Sequence, residues 1–259
     1  MLRKVNLRYF FFGIFGYFVY VLSIVQCFRA FGRASEPTIL NYTWPIFTII
    51  FTKSFFRKSR RSVPYRVIET LGILSGFLSI MIIATEGRLS LIDLSNISGI
   101  LWGLLSGASY GLFSAYSSTV PDKDSSVFLI SSVFSSLILM AGISLTEISI
   151  IKTLTLKDLI PTAILGIVLD GIGYIAWTRA NRLAHTQNIP ISSIASITLL
   201  LPILSLIIVT ILLGETQILQ PYFALSFFLI VLSLVLCQKT DSITKIIGIL
   251  RRKIEMVSC

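Results

Sequence analysis

The chain of 259 residues is 54% hydrophobic and only 13% charged, with a mean hydropathy of +0.87. This composition excludes an ordinary water-soluble domain, in which about a quarter of the residues are charged and much of the surface faces water. The formal net charge of +10 would suit nucleic acid, but the basic residues lie between long apolar runs. We therefore expect the lipid bilayer, and no nucleic acid, as a partner.

Apolar runs of about 18–25 residues recur along the chain, each long enough to cross roughly 30 Å of hydrocarbon. In chain order they are 9–28, 36–55, 67–86, 97–118, 126–146, 159–178, 188–213 and 221–238. Charged or turn-forming segments such as Arg57–Arg61 and Pro121–Asp124 separate them. The pattern predicts an all-α polytopic membrane helix bundle of about eight transmembrane helices.

The first apolar run follows Arg3, Lys4 and Arg8, as the core of a secretory signal peptide would. It spans about 20 residues, which is longer than such a core, and it lacks a small-x-small cleavage site. We expect the run to remain as the first transmembrane helix.

The distribution of lysine and arginine residues predicts the orientation of the bundle. With the N-terminus in the cytoplasm, seventeen of the 22 basic residues fall in cytoplasmic segments and five fall outside. Basic residues are enriched on the cytoplasmic side of membrane proteins. We therefore expect a multi-pass protein of the plasma membrane with both termini in the cytoplasm.

The C-terminal segment 241–259 is a basic cytoplasmic tail with the pattern of an amphipathic helix. Arg251, Arg252 and Lys253 lie mostly away from one apolar face of that helix. The apolar face consists of Ile243, Ile246, Ile247, Leu250 and Ile254. Such a helix would lie on the anionic cytoplasmic leaflet. A solvated tail is the alternative.

An internal repeat appears when the chain is compared with itself at an offset of 157 residues. The matched pairs are Gly16 with Gly173, Tyr17 with Tyr174, Tyr20 with Trp177, and Pro45 with Pro202. Both copies read Gly-Tyr-x-x-aromatic in one run and carry a proline within the next. Because the first and sixth runs cross the membrane in opposite directions, the repeat is inverted. Many transporters place their substrate site between two such repeats, near the midplane of the bilayer.

The segment Leu40–Phe47 reads Leu-Asn-Tyr-Thr-Trp-Pro-Ile-Phe. It resembles a signature of the drug/metabolite transporter superfamily, and is most similar to EamA-domain carriers that export aromatic amino acids. Asp170–Trp177 looks like the matching helix of the second half. Leu201-Pro202, followed by Gly214-Glu215, looks like the proline helix of this family, and Gly99–Ser114 resembles the first helix of its second repeat.

The resemblance implies a ten-helix fold made of two five-helix repeats. Here residues 1–90 match only the last three helices of the first repeat, and residues 91–240 match the whole second repeat. The arrangement is therefore a partial inverted repeat, three helices plus five, which lacks the first two helices. The resemblance implies that their loss would open the central cavity toward lipid unless a partner chain, as a homodimer or as separate partner helices, fills the gap.

Candidate substrate-binding residues are mainly aromatic side chains at membrane depth. Aromatic faces stack on apolar metabolites and attract ammonium groups; packing or an interface belt is the other interpretation. The resemblance places Tyr42, Trp44, Tyr174 and Trp177 at cavity-lining positions. Asp170 would couple protons or pair with an ammonium group, or else be a buried, hydrogen-bonded carboxyl. The full set is Tyr17, Tyr20, Tyr42, Trp44, Pro45, Tyr110, Asp170, Tyr174, Trp177 and Pro202.

The function we expect is that of a secondary transporter that exports small organic metabolites of the amino-acid type by alternating access. No Walker A sequence is present, and a single histidine, His185, cannot supply a catalytic or metal cluster. We therefore expect a small-molecule substrate and no catalytic residue, cofactor or metal. The alternatives are a membrane-embedded enzyme, which is disfavoured, and a truncated protein that does not transport.

Overall fold

A computed structural model describes residues 7–32, 35–56, 62–146, 155, 171–204 and 220–257. These residues are overwhelmingly helical and include no strand, which confirms the all-α class. In chain order the helices are α1 (Leu7–Phe31), α2 (Ser35–Asn41), α3 (Trp44–Phe51), α4 (Val63–Ala84), α5 (Ile97–Ser117), α6 (Asp122–Thr146), α7 (Tyr174–Thr186), α8 (Ile191–Thr198), α9 (Pro221–Gln238) and α10 (Thr240–Val257).

Four of these helices, α1, α4, α5 and α9, are long and apolar enough to cross a membrane. They coincide with the first, third, fourth and eighth predicted runs. The total of about eight spans stays a prediction, because segments 159–170 and 205–213 lie outside the described residues. Large apolar side chains such as Leu101, Ile130 and Phe228 are more than 60% exposed, as expected of helix faces that lipid covers.

Local sequence signals explain where these long helices begin. The Ser62 side chain accepts a hydrogen bond from the Tyr65 amide at 3.4 Å, and Pro64 lies in the first turn of α4. The Asn96 side chain accepts from the Gly99 amide at 2.9 Å at the start of α5. Such caps satisfy amides that have no partner within the helix.

The second predicted run, 36–55, is interrupted in the structure. Helix α2 ends at Asn41, Tyr42 and Thr43 form a turn, and α3 begins at Trp44. Proline lacks an amide hydrogen and clashes with the carbonyl four residues earlier, so Pro45 fits only the first turn of a new helix. A π-helical turn, Thr52–Phe56, then extends α3.

The seventh predicted run is interrupted in a similar way. Helix α8 ends at Thr198, a turn covers Leu199 and Leu200, and helical residues 201–204 follow with Pro202 near their start. The described part of the sixth run is a π-helical turn over 171–173 and then α7. Helix α7 continues to Thr186, eight residues beyond the predicted end at 178.

Glycines let the helices approach closely. Helix α5 packs on α1, α2 and α3, and α4 packs on α9. A Cβ atom at Gly107 would lie 2.1 Å from Thr43 Oγ1, and one at Gly111 would lie 2.5 Å from Phe47 Cβ. These distances are too short for any larger residue, so the two glycines allow α5 to pack directly against α2 and α3.

Candidate functional site

Six of the predicted site residues come together in one place. They contribute side chains from four helices and form what we call the aromatic cluster. Its members are Tyr17 and Tyr20 on α1, Trp44 on α3, Tyr110 on α5, and Tyr174 and Trp177 on α7. The turn that separates α2 from α3 immediately precedes Trp44, so the aromatic cluster lies beside the break between these two helices.

Ring contacts connect the members of the cluster directly. Trp44 meets Tyr110 at a centroid distance of 5.0 Å and Trp177 at 5.1 Å, both edge to face. Tyr174 meets Tyr17 edge to face at 5.2 Å. These distances and angles are those that aromatic pairs prefer. The rings therefore form a continuous apolar surface that links α1, α3, α5 and α7.

Helical spacing explains why these side chains converge. Tyr17 and Tyr20 are three residues apart on α1, and Tyr174 and Trp177 are three residues apart on α7, so each pair lies on one face of its helix. Tyr20 reaches Tyr110 at 4.8 Å, which closes the cluster on the α5 side. Each helix thus needs only one face toward the cluster and can present another to lipid.

The aromatic cluster also contains polar groups. The indole Nε1 of Trp177 donates a hydrogen bond to Ser114 Oγ at 3.1 Å, and Ser114 is fully buried. A site with broad apolar faces and a few polar groups suits a small amphipathic ligand. Among the residues that the structure describes, no group of three or more His, Cys, Asp or Glu side chains is placed to hold a metal ion.

The other predicted site residues are placed differently. Pro45 is buried beside Trp44 in α3, and Pro202 is half-buried in the 201–204 turn. Tyr42 is half-buried in the turn before α3, and no described ring contact joins it to the cluster. Asp170 lies outside the described residues.

Sequence reasoning missed several residues that extend the cluster. Phe113 contacts Tyr17 at 5.8 Å and stacks on Phe128 of α6 at 4.8 Å. Tyr116 continues the same packed group. Phe113 and Ser114 follow Tyr110 by three and four residues, so helical spacing on α5 was the signal that could have identified them.

No protein-family model matches the chain, and no curated protein matches it. Among solved structures, one described only as a crystal structure of a protein is similar, with a TM-score of 0.69 and 18% sequence identity. The similarity covers 90% of this chain and 76% of the other. At that identity the comparison establishes a shared fold alone.

Proposed function

We propose that this chain is a secondary transporter of small amphipathic metabolites of the amino-acid type, related to the EamA-domain exporters. The observation that carries the proposal is the aromatic cluster, in which side chains from four helices converge beside a broken helix in a bundle of apolar helices. Broken helices buried in protein or lining a cavity are where transporters place their sites. The substrate would lie against Trp44, Tyr110 and Tyr174.

An inverted repeat is part of the same proposal. The turn at Tyr42 and Thr43 and the turn at Leu199 and Leu200 are separated by 157 residues, the same offset as the two prolines that follow. Helices α4 and α9 extend the correspondence, since Pro64-Tyr65 and Pro221-Tyr222 in their first turns have that offset too. Two broken helices related in this way would give alternating access by exchanging their packing.

The membrane arrangement that we propose has both termini and α10 on the cytoplasmic side of the plasma membrane. The support is the distribution of basic residues together with the exposed apolar side chains of α10, among them Ile246, Ile247 and Ile249. Reporter fusions after Lys53 and after Lys239 should both read cytoplasmic. An external signal from either fusion would contradict this orientation.

The transport proposal is tested by efflux from cells that express the chain, with a panel of aromatic and aliphatic amino acids. Trp44→Ala removes two of the ring contacts in the cluster. We expect it to lower efflux about tenfold, as loss of one buried aromatic contact surface would. Membrane abundance is measured in parallel.

The matched control is Trp102→Ala. Trp102 is half-buried on α5 and lies outside the aromatic cluster, so its loss should change efflux little. Equal efflux from Trp44→Ala and the parent, at equal abundance, would remove Trp44 from the site. Absence of efflux from the parent would instead favour a chain that requires partner helices, or a second copy, to transport.

A further inference from the structure

Helix α7 carries a line of polar side chains that continues directly from the aromatic cluster. Tyr174, Thr178, Asn181 and His185 follow one another at spacings of three and four residues, so they lie along one face. We call the last three the α7 polar stripe. Thr178 is 2% exposed and Asn181 is completely buried.

The polar atoms of this stripe have no hydrogen-bond partner among the described residues. These atoms are Thr178 Oγ1, both amide atoms of Asn181 and His185 Nδ1. Ser192 Oγ at the start of α8, the helix that packs on α7, is likewise buried and unpartnered. Buried polar groups in folded proteins are nearly always bonded to protein or water, so this set is suited to bind ordered water or the polar end of a ligand.

Some other buried hydroxyls among the described residues are satisfied within their own helix, although Ser23, Thr52, Ser226 and Ser233 are not. Thr48 Oγ1 donates to the Trp44 carbonyl at 2.8 Å, and Ser117 Oγ donates to the Ser114 carbonyl at 2.7 Å. Such bonds within the helix satisfy a hydroxyl without outside help. The Asn181 amide carries two donors and an acceptor, and none of them is used in this way.

We propose that Asn181, supported by Thr178, is the polar subsite of the substrate cavity, and that the stripe down to His185 is its water-lined approach. The inference rests on the transporter function proposed above. Trp177 and Asn181 are four residues apart, so a ligand on the indole places its polar end against the amide. An amide offers donors and an acceptor without net charge, which suits a neutral or zwitterionic metabolite.

Cysteine accessibility tests this subsite independently of transport. In a chain whose Cys27, Cys237 and Cys259 are replaced by serine, Asn181→Cys should react with N-ethylmaleimide in native membranes. The matched control is Ala195→Cys, since Ala195 is fully buried in an apolar cluster on α8. Thiols react as thiolates, which need water, so we expect labelling at 181 to be at least about tenfold faster than at 195.

Protection by ligand is the second measurement. Tryptophan, phenylalanine or leucine at millimolar concentration should slow labelling at 181. Equally slow labelling at 181 and 195 would overturn the proposal, as would fast labelling that no member of this panel reduces. Fast, protectable labelling in a chain without efflux would support the subsite and contradict transport by the chain alone.

Asn181→Leu is a second variant that tests the subsite if the cysteine variants fold poorly. Leucine matches asparagine in its number of side-chain heavy atoms and its branching at Cγ, and it removes the unpartnered amide, so the melting temperature should stay the same or rise. Efflux should nevertheless fall by about tenfold, in line with the loss of one ligand hydrogen-bonding group. A fall in melting temperature with unchanged efflux would identify Asn181 as structural and overturn the proposal.

Discussion

Helix α3 faces two regions of very different composition. On one side Trp44 joins the aromatic cluster; on the other, Ile49 joins an aliphatic cluster formed with Ile73 on α4, Ile191 and Ala195 on α8, and Cys237 on α9. Residues five apart point about 140° apart on a helix, so one short helix can serve both regions.

The helices around the aliphatic cluster pack closely through small residues. Ser79 Oγ donates to the Ser226 carbonyl at 2.8 Å between α4 and α9, and Ser193 Oγ donates to the Cys237 carbonyl at 2.9 Å. Small residues bring the helix backbones together there. In the aromatic cluster, by contrast, the packed side chains are large, and the hydrogen bond from Trp177 to Ser114 joins two side chains instead of reaching a backbone carbonyl. We interpret the aliphatic side of α3 as a rigid scaffold and the aromatic side as the ligand-binding surface proposed above.

The largest expected loss of stability comes from Gly72→Leu, which places a larger side chain in the scaffold contact between α4 and α9. A Cβ atom at residue 72 would lie 2.7 Å from Cys237 Sγ and 3.0 Å from Leu236 Cβ. Overpacking of this kind costs about 1–3 kcal/mol or more. Thermal melting in detergent should show a large loss of stability.

Gly142→Leu is the matched control, because a Cβ atom there meets no described atom within 4 Å. Similar melting temperatures for the two variants would contradict the rigid-scaffold interpretation of the α4–α9 contact.

A smaller loss is expected from Lys53→Met, which breaks the ion pair between Lys53 Nζ and the Glu69 carboxylate. This pair connects the extension of α3 to the scaffold helix α4. Glu69 is 3% exposed, whereas Lys53 is partly open to solvent. We therefore expect a cost of about 1–2 kcal/mol, which is more than the roughly 0–1 kcal/mol of an exposed pair and less than the roughly 3–5 kcal/mol of a fully buried one.

Arg88→Met provides the comparison for that pair. Arg88 and Glu86 are 3.0 Å apart, but both side chains are more than half exposed. Exposed pairs contribute roughly 0–1 kcal/mol. Equal shifts in melting temperature for Lys53→Met and Arg88→Met would show that the buried carboxylate does not depend on Lys53.

The smallest effect should follow Ser114→Ala, which removes the acceptor for the Trp177 indole. Loss of one hydrogen bond typically costs about 0.5–1.5 kcal/mol. The tryptophan emission maximum should shift with it, since the indole environment changes. In Ser117→Ala the lost bond is internal to α5, so tryptophan emission should stay constant; an identical shift in both variants would remove Ser114 from the site.

Several features of the fold could be predicted from the sequence because they are local. Hydropathy identified α1, α4, α5 and α9 as long apolar helices, since the length of an apolar run is what the bilayer constrains. The interruptions before Trp44 and Leu201 were not predicted as turns, although the prolines that follow them were recognised. A proline restricts the backbone locally but leaves open whether the helix bends or breaks.

For the aromatic cluster, too, some features are predictable from the sequence and others depend on the tertiary structure. Aromatic residues three apart at membrane depth, such as Tyr17 with Tyr20 and Tyr174 with Trp177, are visible in the sequence as faces of helices. Their meeting with Trp44 and Tyr110, the participation of Phe113 and the exclusion of Tyr42 depended on how the helices pack. Periodicity fixes the direction of a side chain around its own axis, whereas its neighbours are set by helix crossings that glycines such as Gly107 and Gly111 permit.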